Sequence, residues 1–344
     1  MVVIGYSDSN KQGGIAASRW ALQVAQVQLL ATARAMGTDL LIFHGRGGTP
    51  ARGGGRTEHL VESLPNGAMR GVLRLTEQGE VVNQSYSLRP IAMRTLERTF
   101  ASVALATAHA AQTAPVAPEL IAAMSTIASQ SLKAYRELVF GGAEFFEYFR
   151  AATPLDVIER MHIASRPAAR EGASGVQALR AIPWVFAWTQ SRHMLPGWFG
   201  FGSGVQAALQ LHGEEVLTRM TAWPFFGHLL DDVEAMLGRT DMEIAGYYDA
   251  LAPDRLRIHA QAIAKEYALT LQLVLRLRGS AQLLDSDPTL QRSIKLRNPY
   301  IDPMHLMQVD LLRRWRETQR QDQALFGALR ATISGIAQGL QATG

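Results

Sequence analysis

Residues 40–55, LLIFHGRGGTPARGGG, constrain this chain more than any other stretch. The apolar run at 40–43 stops abruptly in a loop where Gly47, Gly48, Gly53 and Gly54 are interleaved with Arg46 and Arg52, the pattern of a buried strand handing over to an anion-binding loop. Glycine lets the backbone approach a ligand closely, and a guanidinium fork matches phosphate or carboxylate oxygens two at a time. A small anion bearing phosphate or carboxylate suits such a loop. The competing reading is two solvated charges on a flexible loop.

At 344 residues the chain has material for one large domain or two smaller ones. Its 47% hydrophobic and 19% charged residues describe a globular chain. No apolar run approaches the roughly 20 residues that cross a bilayer, and no charged-then-apolar leader precedes the first motif, so a soluble, cytoplasmic protein without a membrane partner is expected. Cysteine is absent, which excludes disulfides, thiolate metal sites and cysteine nucleophiles together. Lysine occurs only as Lys11, Lys133, Lys265 and Lys295, and the arginines are dispersed under a net charge of +4. That distribution argues against a nucleic-acid surface and for scattered pairing plus one focused anion pocket.

Along the chain, the β-branched run at 2–6, the alanine- and leucine-rich segment at 13–37 and the run at 40–44 read as strand, helix, strand. Two strands joined by a helix are expected to lie parallel and to end at one sheet edge, which makes the 7–14 and 44–55 loops neighbours where α/β folds bind ligands. A third strand is expected at 71–82 and a fourth at 179–182, with Pro183 opening a helix. Helices are expected at 91–112, 118–140, 143–149, 154–161 with Thr153 as its cap, 214–237, 241–251, 253–279, 287–298, 302–318 and 324–341. The polar, small-sided stretch at 165–175 reads as a mobile loop. Four parallel strands do not close a barrel, and an open edge is adhesive. Either the strands form a small open sheet, or they belong to a larger barrel whose other strands are missing; the second is the expected fold, a partial TIM-type α/β barrel with extensive additional helices, predominantly helical overall. Residues 1–110 would carry barrel strands and catalytic loops. Residues 111–344 would be mostly helical, adding the strand near 179–183 and the C-terminal regulatory or oligomerising region.

The blocks VVIGYSDSNKQGG (2–14), FHGRGGTPARGGG (43–55), LRLTEQGE (73–80), SRP (165–167), LRAIPWVFAWTQSRHMLPGW (179–198), KLRNPYIDP (295–303) and the terminal TG, in that order, resemble the C-terminal portion of phosphoenolpyruvate carboxylase. The GYSDS and FHGRGG blocks are specific to that family. The resemblance implies a helix-elaborated α/β barrel assembled as a homotetramer. It also implies irreversible carboxylation of phosphoenolpyruvate by bicarbonate to oxaloacetate and phosphate, through carboxyphosphate and the pyruvate enolate, with Mg²⁺ or Mn²⁺. Carried over, Asp8 matches a metal carboxylate, Lys11 the active-site lysine, and Arg46 and Arg52 the arginines meeting phosphoryl and carboxyl oxygens. Arg180 matches an arginine at the phosphate, and Arg166 one in the loop that closes over the site. Developing negative charge in phosphoryl transfer and in an enolate calls for such a cationic pocket.

The departures carry information too. Val3 stands where methionine is usual and Gln12 where aspartate is usual. The family's catalytic histidine, second metal carboxylate and a further arginine lie upstream of the matched blocks, so the resemblance implies half an active site here and negligible turnover by this chain alone. The alternative is a non-catalytic module descended from that enzyme, binding small phosphorylated or dicarboxylate metabolites. The family's inhibitory dicarboxylate site would draw on Arg52, Arg255 and Arg297, with Arg255 where lysine is common and Ala342 where asparagine belongs, so inhibition by aspartate or malate is not expected of this chain. An open sheet edge predicts self-association or docking with the missing N-terminal part.

Plainer readings stand beside these. Asp8 also suits a turn, Lys11 a solvated surface, His44 a brace for the loop, and Arg180 a pairing with Glu77. His193, Trp184, Trp188 and Trp198 read as core, and Arg313, Arg314 and Arg316 as a solvated or subunit-facing helix side.

Overall fold

Valine and isoleucine before a long alanine-rich helix produce the expected parallel pair. In a computed structural model describing residues 1–109, 115–161 and 175–342, β1 (Val2–Gly5), α1 (Ser7–Ala35) and β2 (Ile42–Gly45) follow one another, with Val2 opposite Ile42 and Gly5 opposite Gly45. After α2 (Thr57–Ser63), β3 (Arg74–Leu75) joins β2 in parallel, giving the order β1-β2-β3. Ile4, Tyr6, Ile42 and Leu60 form a small core of their own beneath this sheet.

The third strand is shorter than the 71–82 expected. Its last ladder bond runs from Thr76 N to His44 O, 2.9 Å, and Gly79 already opens α3 (Gly79–Tyr86). The expected fourth strand at 179–182 is a correction as well: Leu179 makes an isolated bridge, and α9 (Ala181–Gln190) begins two residues later, its first bond running from Trp184 N to Arg180 O. Pro183 sits in the first turn, where no N–H is required of it. Every other regular element among the described residues is helical: α4 (Arg89–His109), α5 (Pro118–Phe140), α6 (Ala143–Ala151), α7 (Leu155–Ile158), α8 (Gly175–Ala178), α10 (Phe201–His212), α11 (Glu214–Met220), α12 (Pro224–Arg239), α13 (Met242–Asp249), α14 (Arg257–Arg278), α15 (Pro288–Glu317), α16 (Gln323–Leu340) and short 3₁₀ turns.

The main core lies in these helices. Phe149 packs on Trp184 and Trp188 with ring centroids 4.7 and 4.8 Å away, and Trp184, Trp188 and Trp198 are fully buried. His193 belongs there too, bonded through Nδ1 to Ser191 Oγ and through Nε2 to Asp249 Oδ1. By contrast α4 has no buried residue, and Phe100 on it is 76% exposed.

Several expected boundaries move for identifiable reasons. Residues 7–13 are helical and not a loop: α1 runs through them and kinks at Gly14, whose φ of 75° only glycine adopts cheaply and where a Cβ would touch the Tyr135 ring at 3.0 Å. Thr153 does not cap the following helix; its hydroxyl donates back to Phe149 O at 2.7 Å, and Pro154 precedes α7. The helix expected across 214–237 divides at Pro224, which opens α12. The two helices expected at 287–298 and 302–318 are one, continuing through Pro299 and Pro303. Arg192 bridges that interval, reaching Asn298 Oδ1 at 3.5 Å and Asp302 Oδ1 at 3.0 Å. Arg313 and Arg314 are exposed as expected, but Arg316 is not solvated: it binds both oxygens of Asp156 and the carbonyls of Arg150, Ala151 and Thr153.

Candidate functional site

The sheet edge gathers three segments that are far apart in sequence. Asn10, in the first turns of α1, donates its amide to Ala51 O of the glycine-rich loop and to Pro196 O at 2.9 Å. Arg52 Nε reaches Ser7 Oγ at 3.4 Å. Lys11 is fully buried and sends its ammonium to Val176 O, Gln177 O and Leu179 O at 3.2, 3.4 and 2.7 Å, the turn that delivers Arg180. Lys11 and the main chain leading to Arg180 are therefore in direct contact, while Ser7 and Asn10, at i, i+3 spacing on the same helix start, hold the Arg52 loop. Arg180 is half-buried at the N-cap of α9. Glu77, its candidate partner, accepts the Tyr86 hydroxyl at 2.9 Å.

Arg46 does something the sequence reading did not expect. It is only 6% exposed, and it donates Nε to Gly53 O and Nη2 to Gly55 O, both at 2.7 Å, so the guanidinium staples the loop that carries it. The glycines are required by that tightness: Gly53 has φ 79° and a Cβ there would lie 2.5 Å from the Tyr6 ring, while Cβ atoms on Gly47 and Gly54 would strike Arg52 and Gly48. Burial, and then the neighbouring Arg19, push the Arg46 pKa down. His44 braces the loop from beneath, bonded through Nδ1 to the Tyr6 hydroxyl at 2.9 Å; burial, with Arg46 beside it, lowers its pKa to about 4. Arg46, Gly47, Gly48 and Gly54 line a cavity of about 780 Å³ that extends to Glu77 and Arg94. A second, of about 720 Å³, runs from Gly48 and Thr49 past Asp232 and Arg239 to Ala342.

Asp8 is exposed in the first turn of α1. A hard cation such as Mg²⁺ keeps several waters and takes one or two carboxylates, so an exposed carboxylate in the first turn of α1 fits as one ligand of such an ion. Asp8 belongs to no cluster of three potential His or carboxylate ligands among the described residues. Arg166 lies outside the described residues.

The expected effector trio does not assemble as a unit. Arg297 donates to Ser293 O and to Gly339 O beside the C-terminus, but Arg255 is exposed and paired with Glu147 and Glu144 of α6. The arginine that accompanies Arg297 is Arg239: both line one small pocket, and burial together with Arg297 lowers the Arg239 pKa. Sequence reasoning missed Arg239 because it stands at the end of α12 without a motif. It also missed Asn10, inside the GYSDS block, and the Arg19 to Asp232 pair at 2.6 Å, which bolts α1 to α12 behind the loop. No helix among the described residues is long and apolar enough to cross a membrane.

Comparison with known proteins agrees with these blocks. The family model described as phosphoenolpyruvate carboxylase matches residues 1–344. Phosphoenolpyruvate carboxylases of Xanthomonas euvesicatoria, Aromatoleum aromaticum and Rhodothermus marinus are 48%, 40% and 40% identical to this chain, in each case over 100% of it and 38% of the relative. The chain thus spans well under half the length of those relatives, and the matched share is their C-terminal portion. On the match along its whole length, this chain belongs to the phosphoenolpyruvate carboxylase family.

Proposed function

We propose that this chain supplies the phosphate- and metal-facing half of a site that converts phosphoenolpyruvate and bicarbonate to oxaloacetate and phosphate in the cytoplasm. The observation that carries this reading is the contact of Lys11 with the carbonyl of Leu179, 2.7 Å, which joins the start of α1 to the residue before Arg180 at the edge where Arg52 meets Ser7. In this reading Arg180 and Arg52 receive phosphoryl and carboxyl oxygens, and Lys11 positions the Arg180 turn while adding charge beneath it. Arg46 and the glycines keep the loop backbone in shape, and Arg166 closes over the bound ester. Bound through Asp8 and ligands from elsewhere, Mg²⁺ or Mn²⁺ supplies Lewis acidity toward phosphoryl oxygen. The three parallel strands are, in this reading, part of a larger α/β barrel whose remaining strands pair along β1, where Val3 is 60% exposed. The full protein is a homo-oligomer.

Calorimetry with phosphoenolpyruvate and Mn²⁺ tests the half-site. Saturable binding that Arg180→Gln weakens by about tenfold or more is expected, one lost charge-assisted contact being worth about 1.5–3 kcal/mol. Binding unchanged by that substitution refutes the assignment. A coupled oxaloacetate assay separates the two readings of the chain: negligible turnover alone, restored by adding a polypeptide equivalent to the missing N-terminal part of a relative, supports the half-site. Metabolite binding with no restored turnover favours the non-catalytic module, a reading helped by Arg46 being given over to loop carbonyls.

A further inference from the structure

Where the glycine-rich loop exits through α2 and α2 packs on α12, two histidines and two carboxylates meet outside the set of residues assigned above. His59 and Glu62 are three residues apart on α2, and His228 and Asp231 three apart on α12, the spacing that puts each pair on one helix face. The rings of His59 and His228 stack, centroids 4.1 Å apart and planes inclined by 18°. His228 Nδ1 is 3.1 Å from Asp231 Oδ2, and its Nε2 is 2.8 Å from Glu62 Oε2. One donor atom from each of His59, His228 and Asp231 lies within 4.8 Å of the other two. The second oxygen of Asp231 accepts from Arg278 Nη2, and Arg278 is itself anchored to Glu234 at 2.9 Å. The His59 ring makes no hydrogen bond among the described residues. All three donors are partly exposed, so an ion can reach them.

We infer that His59, His228 and Asp231 form a site for a borderline divalent transition metal of the Zn²⁺ type, with water in the fourth position. Two imidazoles select such an ion over Mg²⁺, which takes oxygen ligands. Ligand atoms of a tetrahedral zinc stand roughly 3.3–3.6 Å apart, so the 3.1 Å between His228 Nδ1 and Asp231 Oδ2 is already near that spacing, and rotation of the His59 side chain brings in the third donor. Binding at Nδ1 releases to solvent any proton shared there with Asp231, and leaves His228 Nε2–H donating to Glu62. That is the carboxylate, histidine, metal relay which orients ligands in zinc proteins, with Arg278 orienting Asp231 in the same way. The ion spans α2 and α12. It therefore clamps the exit of the Arg46 loop against the helix whose Asp232 holds Arg19.

The test is titration of the chelator-treated chain with Zn²⁺ by calorimetry and with Co²⁺ by visible absorption. One equivalent is expected, with the intense absorption of tetrahedral Co²⁺. His59→Ala and His228→Ala are each expected to weaken binding on the order of 100-fold and to abolish that spectrum, and Glu62→Gln to weaken it about tenfold. His59→Gln and His228→Gln give the same reading with side-chain bulk retained if an alanine variant unfolds. Asp8→Asn leaves Zn²⁺ binding intact, so the outcome is independent of the carboxylase reading. No stoichiometric Zn²⁺ binding by the native chain, or a tetrahedral Co²⁺ spectrum that survives both histidine substitutions, overturns the site.

Discussion

At the scale of single residues, part of the candidate site's positive charge goes into holding its own backbone. Arg46 and Lys11 do this, since they donate to backbone carbonyls. His44 is a third internal support, and it makes stability depend on acidity in a stated direction. Its folded pKa of about 4 lies below the ordinary histidine value, because burial and then Arg46 disfavour the charged ring. Between pH 6.5 and 4 the unfolded chain therefore binds the extra proton, and stability falls as pH drops through that window, by about 3 kcal/mol at most from this residue. His305, lowered to about 3 by burial and then Arg192, acts in the same direction. Urea denaturation at pH 7, 5.5 and 4.5 is expected to show the loss, and His44→Gln to flatten part of the slope and leave the His305 share. An unchanged slope in His44→Gln contradicts this account.

At the scale of elements, the front of the chain was legible and the handovers were less so. The paired strands β1 and β2 follow from a β-branched run and an apolar run flanking a helix, and the glycine loop follows from its own composition. The failures are at junctions where a local signal had two outcomes. Residues 7–13 contain serine, aspartate and asparagine, residues that favour turns and helix starts alike, and the structure takes the helix. The 3₁₀ turn at Pro50–Arg52 is closed by Gly53 in the left-handed region, against the Tyr6 ring. Gly53→Ala is expected to cost about 1–3 kcal/mol through backbone strain and the collision with Tyr6, and to weaken anion binding beyond that. Equilibrium denaturation together with phosphoenolpyruvate titration measures both, and a variant as stable and as tightly binding as the native chain would show that the loop is looser than this geometry.

At the scale of the whole molecule, a small peripheral sheet rides on a large helical core, and ion pairs between distant segments fasten the helices to one another. Asp156, 4% exposed, accepts from Arg316 of α15 and from Arg320 beyond it, linking residues more than 150 positions apart. Asp156→Asn leaves Arg316 partly buried without its counter-charge, and is expected to destabilise the chain by about 3–5 kcal/mol. A thermal melt within a degree of the native chain would instead mean that the Arg150, Ala151 and Thr153 carbonyls suffice for Arg316. The sequence by itself determined the parallel strand pair, the helical remainder, the aromatic core and the position of the glycine-rich loop, because each is encoded by local patterns of residues. Only the tertiary structure decided that Lys11 lies under the turn before Arg180, that Arg46 staples its own loop, that Arg239 and not Arg255 accompanies Arg297, and that His59 faces His228. The reason is physical: a cation or imidazole takes whatever acceptor packing brings within about 3 Å, and no local pattern states which distant carbonyl or carboxylate that is.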